Sequence, residues 1–238
     1  MKIYYLYFVL VLFAISCDSP ISEPEIAITP NKISRETNDY PFNPSNSFDS
    51  AGQIHNEILT SYYEHKPLPT ETDSIISLFH LKAMSHPFFS SPSSSVTTPI
   101  LISDLQPLLA NPNDVLLQFL DSSTLSEKAK ISLKYYIQEL LLASETSEDY
   151  ATIYDYIINY EAQVEANTDY TSNDKAIILT ITSITRHSVY IKKKKPKKNT
   201  DPDWDWLTTN VIGAAAGASG DVHKAIYTAL IAGIIENR

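Results

Sequence analysis

Cysteine and glycine are both scarce in this chain of 238 residues, which contains one cysteine and five glycines. A single cysteine excludes a disulfide within the chain and a zinc site of the cysteine-rich kind. The few glycines, and the lack of any Asn-Gly dipeptide, disfavour the tight hairpin turns of β-sandwiches. These scarcities point away from disulfide-stapled and β-rich folds.

Motifs that would indicate catalysis are also missing. None of the six histidines stands in an H-E-x-x-H spacing, and no G-x-S-x-G elbow, phosphate loop or dinucleotide fingerprint occurs. We therefore expect a protein that is not an enzyme and has no catalytic, cofactor-binding or metal-binding residues. An enzyme is the third hypothesis, with Asp49 and His55 as its only candidate residues.

The N-terminus has the pattern of a secretory signal. After the single charge of Lys2, an apolar run extends from Ile3 to Ile15; these residues would span roughly 20 Å as a helix, less than the ~30 Å core of a bilayer. A positive start, a short apolar centre and small residues before a cut predict a signal peptide over residues 1–16. The alternative interpretation of Cys17 is a thiol inside an ordinary signal peptide.

The stretch Ala14-Ile15-Ser16-Cys17 resembles the lipobox of bacterial lipoproteins. The resemblance implies that Cys17 becomes the first residue of the mature chain and carries a diacylglycerol on its sulfur. It implies a protein held in the bacterial cell envelope by its N-terminal lipid, with a membrane as its partner. Asp18 would mean inner-membrane retention under one sorting rule, but we favour the outer membrane.

Charge and composition change after the predicted signal peptide. Cleavage removes Lys2 and leaves 17 basic against 28 acidic residues, a net charge of −11, which disfavours nucleic acid as a partner. Residues 17–45 are rich in proline and polar residues, so they cannot bury enough apolar surface to fold. We predict that they form a flexible tether.

Beyond the tether, apolar residues recur with a period close to 3.6, which predicts an all-α fold, an irregular helical bundle over residues 46–192. Helices are expected from Phe48 to Tyr62, from about Thr70 to Met84, over two short pieces within 99–120, and over 126–144, 147–166 and 172–192. The face expected to be buried in 126–144 comprises Ile131, Leu133, Ile137 and Leu141. The β-branched run AIILTITSIT, residues 176–185, leaves a strand as the alternative for the last helix.

Helix starts are predicted where a threonine precedes an acid by three residues. Thr70 with Asp73, Thr124 with Glu127, Thr146 with Asp149, and Thr171 with Asp174 have this spacing. A hydroxyl at such a position can cap free N–H groups, while the acid favours the positive end of the helix. Between helices, residues 90–99 are a low-complexity loop.

The stretch FDSAGQIHNEIL, residues 48–59, is less ordinary. Asp49, Gly52, His55 and Asn56 share a broad face of one helix, and a glycine so early in a helix usually means that something packs close. His55 and Asn56 then either line a pocket or are core polar groups bonded to loops such as that around Pro92; we favour the second interpretation.

This stretch resembles the opening of uncharacterised bacterial envelope lipoproteins with a signal peptide, a tether and a D-x-x-G-x-x-H-N helix. Those chains also tend to end in a Gly/Ala-rich segment. The resemblance implies an envelope lipoprotein and brings no activity with it.

Six lysines fall within IKKKKPKKN, residues 191–199, and begin a predicted basic and acidic loop over 193–203. The run is either a solvated loop or a patch for an anionic surface, and we favour the loop.

Residues 204–238 are rich in glycine and alanine and predict a helical hairpin broken at Gly220-Asp221. Gly213 and Gly217 are four apart, as are Ala225, Ala229 and Gly233, and small residues at this spacing allow close helix packing. The hairpin is expected to pack on the body with Trp204 and Trp206 as anchors.

Two hypotheses for function remain. The first is a lipid-anchored envelope protein with a binding or scaffolding role, whose partner is an envelope protein or an anionic surface. The alternative is a membrane-active or immunity-type protein that acts through the C-terminal hairpin. The sequence does not give the oligomeric state.

Overall fold

Every regular element among the described residues is an α-helix. The structure, a computed structural model, describes residues 41–146, 150–194, 204–218 and 220–237. These ranges contain ten helices and no strand, so the predicted all-α bundle is confirmed. The predicted signal peptide, Cys17 and most of the predicted tether lie outside the described residues.

The helices vary from one turn to six turns in length. In chain order they are α1 (Asp49–Glu64), α2 (Thr72–Ser85), α3 (Pro87–Ser90), α4 (Ile102–Ala110), α5 (Pro112–Ser122), α6 (Glu127–Thr146), α7 (Tyr150–Ala166), α8 (Ser172–Lys194), α9 (Trp204–Ala218) and α10 (Val222–Glu236). The predicted helices agree with these bounds to within a few residues, but the short α3 was not predicted.

The run AIILTITSIT lies within α8, so the strand alternative is wrong. Ile178, Ile181 and Ile184 have no exposed surface or almost none, because neighbouring helices cover α8 on several sides. Burial of β-branched side chains outweighs their weak preference against the helix.

The capping predictions have mixed outcomes. Thr171 Oγ accepts a hydrogen bond from the N–H of Asp174 at 3.0 Å, and Asp174 Oδ2 accepts one from the N–H of Thr171 at 2.9 Å, so this capping box is confirmed. At the start of α6 the prediction is wrong, since Ser126 Oγ and not Thr124 accepts from the N–H of Ala129, at 3.4 Å.

The other two cap predictions concern the starts of α2 and α7. At α2, Glu71 stands at the N-cap position and makes no side-chain cap bond, so the prediction for Thr70 is also wrong. The prediction for Thr146 depends on Asp149, which lies outside the described residues.

The C-terminal hairpin forms the centre of the core. Helices α9 and α10 run antiparallel and pack closely on each other through small residues: a Cβ added at Gly213 would lie 3.1 Å from the Cα of Ala229, and one at Gly217 would collide with the backbone of Lys224. Around them lie α1, α2, α4, α5, α6 and α8. Ala225, Ala229, Leu230 and Ile231 are completely buried. The side chains of Trp204 and Trp206 lie outside the description.

The predicted boundary between tether and body needs correction. Asn43, inside the predicted tether, is 8% exposed and its Nδ2 donates to Glu161 Oε2 at 2.6 Å. The packed body therefore includes residues before 46, because an asparagine with a buried carboxylate partner is held in place.

The prediction that Ile131 is buried is also wrong, since 57% of this residue is exposed. Its predicted companions on α6, Leu133, Ile137 and Leu141, are buried.

Among the described residues, no helix combines the length and the apolar character needed to cross a membrane.

Candidate functional site

The polar face of α1 lies against the middle of α8. Asp49, Gly52 and Asn56, one turn apart along α1, contact the segment Ser183–His187 of α8. His55 contacts α9 instead. The D-x-x-G-x-x-H-N pattern is thus the surface through which α1 packs on two central helices.

Gly52 permits this close approach. Its N–H donates to Ser183 Oγ at 2.9 Å, and Ser183 Oγ donates in turn to the carbonyl of Asp49 at 2.9 Å. A Cβ at this position would collide with the ring of His187 and the carbonyl oxygen of Ser183. The prediction that something packs against this glycine is confirmed.

A buried ion cluster lies at the start of α1. Arg186 has no exposed side-chain surface, and its Nη2 donates to Asp49 Oδ1. Its Nε lies 3.3 Å from Glu161 Oε2 on α7. Three helices therefore meet at one guanidinium, and two carboxylates offset the cost of burying its charge. Its Nη1 makes no hydrogen bond to the described residues.

Two asparagines complete the coordination of Glu161. Asn43 Nδ2 donates to Oε2 at 2.6 Å, and Asn46 Nδ2 donates to Oε1 at 2.7 Å. Asn46 Nδ2 also lies 3.0 Å from the carbonyl oxygen of Leu179. These bonds fix the segment that enters the body to α7 and α8.

The surroundings hold Asp49 in its charged form. Burial would raise the pKa of Asp49, but the His187 ring and the Arg186 guanidinium outweigh it, so the pKa lies below its usual value. His187 Nε2 is 3.7 Å from Asp49 Oδ1, too far for a hydrogen bond. The two residues are therefore neighbours and do not form the hydrogen-bonded Asp–His pair of general-base catalysis.

The two histidines of the network are kept neutral. His55 is completely buried, and burial lowers its pKa to about 4; its Nε2 lies 2.9 Å from Asn210 Oδ1. Burial also lowers the pKa of His187. Asn56 Nδ2 lies 3.2 Å from His187 Nδ1 and so is able to donate to it.

A cleft of about 550 Å³ opens beside this network, between α1 and the C-terminal half of α8. Asn56 and His187 belong both to the network and to the cleft wall. The lining residues are Pro41, Gln53, Asn56, Glu57, Leu59, Thr60, Ser61, Glu64, His187, Tyr190 and Ile191. Polar side chains at helical spacing thus follow α1 along most of its length.

The structure places Asp49, His55 and Asn56, the residues singled out in the sequence, in different surroundings. His55 is a buried polar group, as expected, whereas Asn56 lines the cleft, which was the interpretation not favoured. Their partners lie on α8 and α9 and not in the loop around Pro92, so that assignment is corrected. Asp49 bonds to Arg186 while His55 bonds to Asn210. The hypothetical Asp49–His55 pair is therefore not joined by a hydrogen bond in the described network.

Arg186, Glu161 and His187 were missed by the sequence reasoning. The sequence does contain a feature that marks Arg186 as a candidate for a buried ion pair, because it is the one charged residue between Ala176 and Ile191. A lone charge inside an apolar helix must find a partner in the fold. Glu161 had no comparable signal.

The described residues contain no group of three or more His, Cys, Asp or Glu side chains placed to hold a metal ion.

Comparison with family models, with curated proteins and with solved structures gives no match to this chain.

Proposed function

We propose that this chain is a lipid-anchored protein of the bacterial cell envelope with a binding role and no catalysis. In this proposal the lipid on Cys17 holds the protein to a membrane, and the helical body binds a partner in the cleft between α1 and α8.

One observation carries the binding role: residues of the buried network also form the cleft wall. Asn56 and His187 are held by hydrogen bonds and packing behind the surface, while part of each faces the cleft. A wall whose side chains are fixed before binding loses little conformational entropy on binding.

The charge of the cleft suggests the chemistry of the partner. Glu57 and Glu64 line it, and among the residues whose side chains the structure describes no lysine or arginine does. The Glu57 carboxylate already has a partner within the chain, since its Oε2 lies 2.9 Å from His86 Nε2. We propose that Glu64, an exposed carboxylate, attracts a positively charged segment of an envelope protein.

The membrane-active alternative receives less support. Ala225, Ala229 and Gly233 would have to leave α9 and the core to face lipid, yet α10 is buried over most of its length. Exposing this apolar surface to water on the way would cost about 25 cal/mol per Å². A scaffold needs no such rearrangement.

Metabolic labelling tests the anchor. Cells grown with labelled palmitate should label the wild-type chain and leave Cys17→Ala unlabelled. Equal labelling of both forms, or of neither, would contradict the anchor without bearing on the cleft.

Site-specific cross-linking in cells tests the binding role. A photo-cross-linking residue at Thr60, in the cleft, should give a discrete adduct with an envelope protein, whereas the same residue at exposed Gln118 on α5 should not. Glu64→Lys should reduce the Thr60 adduct, and Asp121→Lys should leave it unchanged. Identical adducts from Thr60 and Gln118, or no adduct from Thr60, would overturn the proposal.

A further inference from the structure

Helix α6 has apolar side chains on two opposite sides. One side packs into the body through Ala129, Leu133, Tyr136, Ile137 and Leu140, which are nearly or completely buried. On the other side Ile131, Tyr135 and Leu142 are 57%, 63% and 53% exposed. At 100° per residue the two sets lie on opposite faces of the helix, so the second set faces away from the core.

The exposed side has the spacing of a coiled-coil seam. Ile131, Tyr135, Gln138 and Leu142 are separated by four, three and four positions, which corresponds to successive d, a, d and a positions of a heptad. Leu117 of α5, which is 50% exposed, lies beside this seam and lines a hollow of about 470 Å³ with Leu142.

The two edges of the seam carry opposite charges that cannot pair with each other along the helix. In this register Lys134 stands at a g position and Glu139 at the following e position, five residues apart. Side chains pair along one helix at separations of three or four. Lys128 and Lys130, by contrast, already pair with Asp169 and Glu127.

We propose that this seam binds a second copy of the same chain, with the two α6 helices parallel and in register. In that arrangement Lys134 of one copy faces Glu139 of the other, and the two-fold axis repeats the pair. These g-to-e′ contacts are those that set orientation in coiled coils. The two exposed seams then cover each other, as closed two-fold symmetry requires.

The antiparallel arrangement is less suited to these residues. Antiparallel pairing sets g against g′ and e against e′, so Lys134 would face Leu141 and Glu139 would face Ser132. No ion pair would form on either edge. In the parallel pair, Gln138 meets its own copy across the seam, and a polar core residue of this kind fixes the register.

Cysteine cross-linking of the full chain tests the proposal directly, because the sequence has no cysteine beyond Cys17. Ile131→Cys should form a disulfide-linked dimer on mild oxidation, whereas wild type and Gln118→Cys should not. In an antiparallel pair, Ile131 would face Leu142. Cross-linking only between mixed Ile131→Cys and Leu142→Cys chains would therefore overturn the parallel arrangement.

Sedimentation of the purified full chain in mild detergent gives the second readout. Wild type should have twice the protein mass of one chain, and Lys134→Glu should shift it to a single chain because two glutamates then face each other. Lys134→Glu combined with Glu139→Lys should restore the dimer. A monomeric wild type, or a dimer unaffected by Lys134→Glu, would contradict the proposal; these surface positions leave the fold intact, as the helical circular dichroism signal would verify.

Discussion

At the scale of single residues, the contact between α1 and α8 depends on side chains that are unusual inside a protein. Arg186 is completely buried between Asp49 and Glu161, and removal of Arg186 would leave two buried carboxylates without their cation. Gly52 contributes through what it lacks, because only a residue without Cβ allows α8 to come so close. The contact between the two helices therefore depends on which residue stands at each of these positions of α1.

Replacement of Gly52 tests this close contact. In Gly52→Ala the new Cβ meets the backbone carbonyl of Ser183 and the His187 ring, so α1 must shift. We expect the free energy of unfolding to fall by about 1–3 kcal/mol, measured by denaturant unfolding. Gly220→Ala is the matched control: there the new Cβ meets mainly the flexible side chain of Lys224, so stability should change little. Equal losses in both variants would contradict the account.

The buried histidine predicts a dependence of stability on pH. The folded pKa of His55 is about 4, below the ordinary value of 6.5, because burial disfavours the charged ring. Below pH 6.5 the unfolded chain binds a proton that the folded chain does not. The free energy of unfolding should therefore fall between pH 6.5 and 4, by roughly 3 kcal/mol from this residue.

Unfolding measured across this pH range in two variants isolates the histidine. His55→Gln, which keeps a donor toward Asn210 and cannot titrate in this range, should show a shallower loss of stability. His65→Gln, at an exposed position, should retain the wild-type slope. A His55→Gln slope as steep as that of wild type would show that other groups cause the dependence.

At the scale of elements, the hairpin of α9 and α10 is stabilised by close contact of small residues. Gly213 faces Ala229, Gly217 faces Ala225 and the backbone of Lys224, and Gly233 faces the side chain of Asn210. The repeat of small residues predicted such an approach, but the partner is the other half of the hairpin. The spacing of the small residues predicts which face of each helix packs closely. It does not predict which helix that face packs against, because this depends on the arrangement of the helices in the fold.

Overpacking should loosen this hairpin. Ala229→Leu places a large side chain against Gly213, and we expect a loss of about 1–3 kcal/mol in the free energy of unfolding, seen as a lower melting temperature. Lys224→Leu places the same side chain at an exposed position of the same helix, away from this contact, and should leave the melting temperature nearly unchanged. An unaltered melting temperature in Ala229→Leu would mean that the helices are not closely packed.

At the scale of the whole molecule, the sequence predicted the helices and not their arrangement. The apolar period sufficed to predict α6, α7 and α8, because it acts within a few turns, and the capping box of Thr171 and Asp174 also marked the start of α8. The partners of Asp49 and His55 lie more than 130 positions away along the chain, and no local signal records such a distance. Ile131 was misplaced for a related reason: an apolar residue on a helix looks the same whether it faces the core or a surface.

The central claim is that the C-terminal hairpin is the core of a binding scaffold and not a membrane-active device. Hydrogen exchange of the lipidated full chain, compared between detergent and vesicles, tests it most directly. Amides of residues 207–235 should be among the slowest to exchange, and vesicles should leave their protection unchanged, because these amides exchange only when the core opens. Rapid exchange in this segment, or a change in its protection on transfer to vesicles, would contradict the claim.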